Sequence, residues 1–292
     1  MGVIMRRLFV ALTSAVSVVA LTHMASAADL GARVVYKAQP LPPPVQDWSG
    51  VYVGLEGGYG WGRQTFEPAF DPFFFDEFGG EDDPTIGSVN QKGWLFGGFA
   101  GAQKQWGNWV LGIEADFDGA DIKGSSTASS SQFSSTGGEF PTTTTVNKNQ
   151  TIDSKIDELG SVRGKVGFAA WQNWLFYGTG GLAWAHKKDD ASQSQTNTFC
   201  DPLCFDKGDF SATESGGLSM FGWAAGGGID YKWQIDPGSA VIFGVQYLHY
   251  GFGSNTLTLA DNQFGSGSSF AINTKESVDT IKGRISYLFS IH

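Results

Sequence analysis

Apolar and polar side chains alternate along many segments of this chain. In Val51–Trp61 the odd-numbered positions are apolar or glycine, while the even-numbered positions carry polar and small residues. Trp109–Asp118, Ser161–Phe168 and Ile281–Phe289 repeat this pattern. Successive side chains of a β-strand point to opposite faces, so a period of two indicates strands. Counted from Trp48, the chain contains eight strand candidates.

Short and long polar connections alternate between these candidates. The short turns are expected at Gly107-Asn108, Gln172-Asn173 and Asp236-Pro237-Gly238. The long connections cover residues 63–92, 122–157, 187–217 and 253–271, of which the second is rich in Ser, Thr and Gly. This asymmetry is typical of membrane barrels, whose long loops lie outside the cell. The sequence predicts an all-β, eight-stranded antiparallel up-and-down transmembrane β-barrel with four long extracellular loops and short periplasmic turns.

Large aromatic residues favour a membrane barrel over a soluble β-sandwich, in which the same alternation would point the apolar face inward. Trp174 and Trp184 share a face and lie ten residues apart. At about 3.3 Å per residue and a tilt of about 40°, they span roughly 25 Å, the height of a lipid-facing band. The predicted aromatic girdle consists of Trp61, Trp109, Trp174, Trp184, Trp223, Tyr231 and Phe289.

The opposite face of the predicted strands carries charges of both signs. These inward residues are Glu56, Glu114, Asp116, Asp230, Arg163, Lys165, Lys282 and Arg284. A buried charge without a partner is costly, so the balanced set predicts an interior salt-bridge and hydrogen-bond network. A selective channel would be lined by one sign of charge. The sequence therefore predicts a barrel that is filled or at most narrowly conducting.

The N-terminal region has the layout of an export signal. Arg6 and Arg7 precede an apolar run that ends in Ala25-Ser26-Ala27, a typical cleavage site. We expect residues 1–27 to be a cleaved signal peptide, residues 28–47 a proline-rich periplasmic leader, and residues 48–292 the barrel. The formal net charge of −10 disfavours nucleic acid as a partner, because phosphate binding requires a basic surface.

Two cysteines lie close together in a polar stretch. Cys200 and Cys204 flank Asp201-Pro202, and in an oxidising compartment we expect them to form a small disulfide that closes a loop. A zinc site is disfavoured because no second Cys or His cluster would complete four ligands. We predict no metal and no cofactor.

Evidence for catalysis is weak. His249 is followed by Ser254 and Asn255 in a glycine-rich segment. Acyl transfer by a Ser-His pair needs both side chains within hydrogen-bond distance and a third group that orients the imidazole. Nothing in the sequence fixes that geometry, so we predict that the protein is not an enzyme. The glycines of Gly222–Trp233 are interpreted as a thin part of the barrel wall that leaves room for crossing Arg and Lys side chains.

The first long connection differs from the others, because residues 66–83 combine many Phe residues with many acids. One interpretation is an aromatic cluster that folds the loop over the barrel mouth. The other is an exposed patch for a ligand or for adhesion, since large apolar patches rarely stay exposed without a partner.

Several strand motifs resemble the small outer-membrane barrels of alphaproteobacteria, the family of the 25- and 31-kilodalton surface proteins of Brucella and Rhizobium, which is similar to the transmembrane domain of OmpA. The matching stretches are "DWSGVYVGLEGGYGWG", "WVLGIEADFDGADI", "GWAAGGGIDYKW", "VIFGVQYLHYGFG" and "GRISYLF". Three positions depart from that pattern: Gln246, His249, and the residues after Phe289, where family members usually end on an aromatic residue.

The resemblance implies location in the cell outer membrane and a structural or surface role in the envelope. It implies contact with outer-membrane lipid and lipopolysaccharide, and insertion by the outer-membrane assembly machinery. Two alternatives stay open: a narrow-bore porin, and a surface protein that binds haem, a small ligand or a host molecule at its loops.

Overall fold

Eight β-strands make up the computed structural model, which describes residues 47–70, 85–137, 142–171, 173–201, 203–261 and 269–290. The strands are β1 (Gly50–Phe70), β2 (Ile86–Trp106), β3 (Trp109–Thr136), β4 (Thr142–Trp171), β5 (Trp174–Asp201), β6 (Leu203–Asp236), β7 (Ser239–Asp261) and β8 (Ser269–Phe289). In this described part of the chain, no helix is long and apolar enough to cross a membrane.

Each strand pairs antiparallel with the next one in sequence, and β1 pairs with β8 to close the barrel. The closing register places Glu56 opposite Arg284 and Val51 opposite Phe289. The predicted eight-stranded antiparallel barrel is therefore confirmed. Closure gives each strand a hydrogen-bonded neighbour on both sides, as a lipid environment requires.

The alternation seen in the sequence becomes the two faces of the wall. Exposed apolar side chains cover the outside, including Leu55 on β1, Ile113 on β3 and Leu182 on β5. Their sequence neighbours Glu56 and Glu114 are buried inside the barrel. An apolar outer face would be unfavourable in water and is favourable in lipid.

The predicted short turns lie at one end of the barrel. Gly107 and Asn108 link β2 to β3, and Gly107 has a φ of 59°, a left-handed conformation that favours glycine. Pro237 and Gly238 form the turn between β6 and β7. In the third turn only Asn173 is among the described residues.

The prediction of four long loops was wrong for the central part of the chain. The predicted loops 122–157 and 187–217 are mostly strand, since β3 and β4 pair up to Thr136 and Thr142, and β4 places Thr143 opposite Cys200 on β5. We name this four-stranded continuation of β3–β6 the extension. Its Ser and Thr side chains suit strands, but both faces are polar, so no alternation marks it in the sequence.

The other two predicted loops are shorter than expected. β1 continues to Phe70 and β2 begins at Ile86, while β7 ends at Asp261 and β8 begins at Ser269. The Phe- and acid-rich segment 71–84 lies outside the described residues, as do the predicted signal peptide and nearly all of the predicted leader.

Inward-facing glycines allow the strands to approach closely. A Cβ at Gly226 would overlap the backbone carbonyl of Tyr247 on β7, and a Cβ at Gly228 would lie 2.5 Å from the Tyr177 hydroxyl. The expectation that these glycines make room for Arg and Lys side chains was thus wrong. The space is taken by a neighbouring backbone and a tyrosine, because the wall of a small barrel is strongly curved.

We predict that Gly226→Val prevents proper closure between β6 and β7. The added side chain must displace backbone rather than a flexible side chain, and overpacking of this kind costs about 1–3 kcal/mol or more. The folded fraction after refolding into lipid vesicles, measured by gel mobility with and without heating, should fall. Gly87→Ala is the control, because nothing lies within 4 Å of its added Cβ. Equal folding of the Gly226 variant and the wild type would contradict this account.

Candidate functional site: the layered barrel interior

A layer of ionisable side chains crosses the middle of the barrel. All eight side chains that the sequence assigned to the interior are buried, and they lie in this layer. Lys282 is at its centre, with Nζ at 2.7 Å from Glu56 Oε1 and 3.0 Å from Asp116 Oδ2. It also contacts Asp118, which is buried with the others.

Two arginines connect the acids on different strands. Arg284 donates from Nε to Glu56 Oε2 at 3.0 Å, and its Nη2 lies 2.8 Å from Glu114 Oε1. Arg163 donates to the same Glu114 oxygen at 2.8 Å. These contacts connect the neighbouring pairs β1–β8 and β3–β4, and they also join β3 to β8 across the lumen. Strands that are not sheet partners are therefore fixed to each other through the interior.

Lys165 forms a second centre beside this cluster. It donates to Asp230 Oδ2 at 2.8 Å and lies 3.9 Å from the centre of the Tyr177 ring. Tyr52 donates its hydroxyl to Glu114 at 2.9 Å, and Arg284 donates to the Tyr177 hydroxyl at 2.9 Å. The tyrosines supply hydrogen-bond partners within reach of the charged groups, which lowers the cost of burying those groups.

Asp118 changes the predicted charge balance. The predicted interior set has four acids and four bases, whereas the layer contains Asp118 as a fifth acid in contact with Lys282. The alternation along β3 already predicted that Asp118 lies on the inner face, two residues beyond Asp116. What the sequence could not show is that Asp118 lies at the height of Lys282. Glu56, Asp116 and Asp118 are close enough to bind one metal ion, but the Lys282 ammonium group occupies the space between them.

Apolar layers lie on both sides of the charged layer. Toward the short turns, Trp48, Val110, Leu175, Ile242 and Leu288 pack together. Toward the extension, a second cluster contains Leu95, Ile122, Leu159, Met220, Leu248, Tyr250, Phe252 and Val278. The charged groups are therefore separated from water at both ends, which strengthens their mutual interactions.

Trp48 closes the end with the short turns. Its side chain is fully buried, its backbone N–H donates to Gln105 Oε1 at 2.8 Å, and its backbone carbonyl accepts from Gln103 Nε2 at 2.8 Å. Lys232 donates to the Asp47 carbonyl and lies 5.7 Å from the Trp48 ring centre. Residues assigned to the leader and to the first strand boundary thus extend into the barrel opening.

A second buried polar cluster lies beyond the apolar layer on the side of the extension, outside the lipid-facing band. Lys187 Nζ is 3.0 Å from Asp189 and 3.2 Å from Glu276. Gln64 donates to Asp189 at 3.4 Å, and Gln91 donates to Ser154 at 2.9 Å. Burial raises the pKa of Glu276 to about 7, against the opposing effect of Lys187. The sequence did not indicate this cluster, because all of its members except Glu276 fall in the long loops predicted over residues 63–92, 122–157 and 187–217.

The predicted girdle residues lie at the two ends of the outer apolar band. Trp174 contacts Tyr231 with ring centres 5.0 Å apart, and Trp109 contacts Phe168 at 5.4 Å. Phe289 contacts Tyr287 at 4.7 Å. At the other end are Trp61, Trp184 and Trp223. The Trp184 ring covers Gly160, and Trp223 covers Gly251, so two of these indoles shield glycine backbone.

His249 has an acidic partner on β8. Its Nδ1 lies 2.8 Å from Asp279 Oδ1, which also accepts the Tyr247 hydroxyl at 2.6 Å. Among the described residues, Ser254 makes no hydrogen bond to His249, and Asn255 instead donates to the Phe252 carbonyl. The Ser-His-Asn combination considered from the sequence is therefore not brought together.

The two cysteines lie at the far end of the extension. Cys200 and Cys204 are joined by a disulfide, and they are register partners on β5 and β6. The bond crosses the hairpin next to its turn, so it covalently closes the tip of these two strands.

Comparison with known proteins gives relatives in Brucella. The chain is 26% identical over 269 residues to the 31 kDa outer-membrane immunogenic protein of Brucella melitensis, covering 86% of this chain and 88% of the relative. It is 30% identical over 96 residues to the 25 kDa outer-membrane immunogenic protein of Brucella abortus, covering 31% and 37%. No family model matches the chain.

Among solved structures, the chain is similar to the outer membrane protein OprG from Pseudomonas aeruginosa, with 12% identity, a TM-score of 0.28 and coverage of 83% of this chain and 97% of that one. The closed barrel, its apolar outer face and the Brucella relatives agree on one location. The protein is a β-barrel of the bacterial outer membrane.

We predict that Lys282→Met destabilises the barrel by about 3–5 kcal/mol, because three carboxylates lose their shared cation while buried. Unfolding by urea in lipid vesicles, followed by tryptophan fluorescence, measures the change. Adding Glu56→Gln, Asp116→Asn and Asp118→Asn should restore much of the lost stability. Lys104→Met, at an exposed site near a short turn, is the control and should change stability by less than about 0.5 kcal/mol. A similar loss in both lysine variants would refute the shared-cation account.

Proposed function

We propose that this outer-membrane protein is a sealed, non-catalytic barrel with a structural role in the envelope, and that it presents the extension at the cell surface. The observation that carries the proposal is the alternation of apolar and charged layers inside the barrel. Along β8 the inward residues run from Leu288 through Arg284 and Lys282 to Val278 and Glu276. Each layer fills the cross-section with side chains.

The filled interior argues against a porin. Eight strands enclose a space that side chains can just fill, and Arg163, Lys282 and Trp48 are among the largest fully buried side chains. Conduction would require the charged layer to break ion pairs such as Lys282–Glu56 and would also require both apolar layers to open. The network is better suited to holding the strands in one register, which gives the wall mechanical stability.

The extension supports a role at the surface. β5 continues from Trp184, at the edge of the lipid-facing band, to Asp201 at its tip. At about 3.3 Å per residue this strand projects several tens of ångströms beyond the membrane. The Brucella relatives are named outer-membrane immunogenic proteins, which is consistent with surface exposure. A host or small-ligand contact, including haem, would therefore be made by the extension rather than by the lumen.

The histidines support a non-catalytic assignment. His249 is paired with Asp279 but has no serine in hydrogen-bond contact among the described residues. His186 Nδ1 lies 3.1 Å from Ser219 Oγ on the outer face. Among the residues that the structure describes, no carboxylate accepts a hydrogen bond from His186. The His186–Ser219 pair therefore lacks the third group that acyl transfer needs to orient the imidazole.

Biogenesis follows from the same proposal. We propose that residues 1–27 direct export and are removed, and that the outer-membrane assembly machinery inserts the barrel. Strand β8 supplies the closing pair with β1 and ends at Phe289, which lies at the edge of the barrel opposite Val51. The resemblance connects assembly with an aromatic residue at the end of the chain, and here Phe289 is followed by Ser290, Ile291 and His292.

The sealed interior predicts an absence of porin-like conductance. Purified protein in planar bilayers should give no large, stable open steps, because two apolar layers and the charged layer block the lumen. Recordings from a known porin purified and reconstituted in the same way provide the control. Large and stable steps from the folded wild-type protein would show that the barrel is a pore.

The surface role predicts a defined orientation of the extension. An epitope inserted after Gly137, between β3 and β4, should bind antibody on intact cells, because that end lies outside the membrane. The matched control is the same epitope inserted after Asn108, in the turn between β2 and β3. It should become accessible only after the outer membrane is permeabilised. Labelling of the Asn108 insertion alone on intact cells would reverse the orientation.

A further inference from the structure

Basic side chains cluster on the outer face of the barrel, directly beyond the lipid-facing band. Arg63, Lys92 and Lys123 lie on the adjacent strands β1, β2 and β3, and all three are exposed. We name these three residues the basic patch. Lys92 is the register partner of Trp61 on β1 and of Lys123 on β3. The patch is unusual because the chain as a whole is acidic, with a formal net charge of −10.

The register brings like charges directly opposite each other. Cβ atoms of facing residues in an antiparallel pair are about 4.5–5.5 Å apart, and like charges at that distance destabilise the sheet. Lys92 faces Lys123, and Lys123 in turn faces Lys155 on β4. Arg63 faces Asn90, so it is a diagonal neighbour of Lys92. Neutral residues at these exposed positions would not repel each other.

Acids of the protein offset only part of this charge. Asp121 is shared, with Oδ1 at 2.9 Å from Lys123 and 3.2 Å from Lys155. Among the described residues, Arg63 and Lys92 form no ion pair, and Arg63 donates only to the Ser88 hydroxyl at 3.0 Å. An excess of positive charge therefore remains on β1–β3.

The same row of lysines continues to β5, but acids lie beside the lysines there. Lys188 faces Lys155 and is 2.8 Å from Asp157. Asp153 and Asp190 face each other one step beyond these lysines. The β4–β5 side is thus rich in acids, and an anion would be attracted to the β1–β3 side.

The position of the basic patch indicates what kind of anion it meets. Trp94 precedes the apolar band on β2, two residues from Lys92, and its exposed side chain packs edge-on against Tyr59 at 5.1 Å. Phe96 continues the exposed apolar surface below it. A molecule that contacts both regions would carry its anionic group next to its apolar chains, as a membrane lipid does.

We propose that the basic patch binds a phosphate group of an outer-leaflet lipid, whose acyl chains lie over Trp61, Trp94 and Phe96. Lys92 and Lys123 would hold the phosphate between them as two point charges, and Arg63 would donate from the side. The bound phosphate would remove the repulsion between the facing lysines. This proposal rests on membrane insertion and is independent of whether the lumen conducts.

The test measures lipid binding to the folded protein in detergent micelles by native mass spectrometry. The probes are lipid A with its phosphates, the same lipid A after their removal, and inorganic phosphate as a competitor. The wild type should retain phosphorylated lipid A. The variant Arg63→Gln, Lys92→Gln, Lys123→Gln should bind it at least about tenfold more weakly, since each basic residue near an anionic headgroup contributes to the attraction. Phosphate-free lipid should bind both proteins equally weakly.

Two further variants keep the result interpretable. Lys104→Gln removes one exposed lysine from β2 at the opposite end of the barrel and should bind lipid as the wild type does. Asp121→Asn removes the acid shared by Lys123 and Lys155, and it should bind phosphorylated lipid A at least as tightly as the wild type. Gel mobility before and after heating verifies that every variant is folded.

Three results would overturn the proposal. Wild-type affinity in the triple variant would show that the patch does not bind the lipid. Weaker binding by Asp121→Asn would assign the contact to the acid instead. Complete displacement by inorganic phosphate would indicate a site for a free anion rather than a lipid. None of these results would alter the conductance or epitope measurements, so failure here is distinct from failure of the proposed function.

Discussion

Closure of the sheet through the β1–β8 pair is the constraint on which the rest of the structure depends. It gives each strand two neighbours, so the wall exposes no row of unpaired backbone groups to lipid. Closure with eight strands also fixes the bore, and the bore is narrow enough that inward side chains meet across it. Lys282 on β8 and Asp116 on β3 are far apart along the wall, yet they are in contact through the lumen.

The narrow bore explains why the interior is layered. A charged side chain inside the barrel cannot reach bulk water, so it needs partners on other strands at the same height. Glu114 meets this need with Arg163, Arg284 and Tyr52. The apolar layers on both sides keep water from competing for those contacts. Mechanical fixation of the wall and a closed lumen are therefore two results of one arrangement.

The polarity of the outer surface changes with height along the barrel, because each level is in contact with a different solvent. In the lipid-facing band, outward apolar side chains alternate along each strand with inward polar and charged ones. Trp184 lies at the end of this band that is directed toward the extension. Beyond it, Lys92 and Lys123 face the headgroup region, where positive charge is favourable beside lipid phosphates. Further out, the extension is mainly polar on both faces, and inward side chains such as Lys148, Gln150 and Ser154 are buried there. The sequence of surfaces along β3 thus follows the membrane from its core to the exterior.

The period-two pattern of residues such as Leu55 and Glu56 was enough to determine the strands of the lipid-facing wall and their two faces, because inside and outside differ in polarity at every step. The membrane setting was indicated by the large aromatic residues at the strand ends, since a soluble sandwich would show the same alternation. The extension escaped prediction, because a strand with mainly polar side chains on both faces shows no alternation of apolar and polar residues. The role of Asp118 and the facing of Lys92 with Lys123 were decided only by the tertiary structure. Both depend on the register between strands, and a sequence fixes which face a side chain occupies but not the height at which it meets its partner.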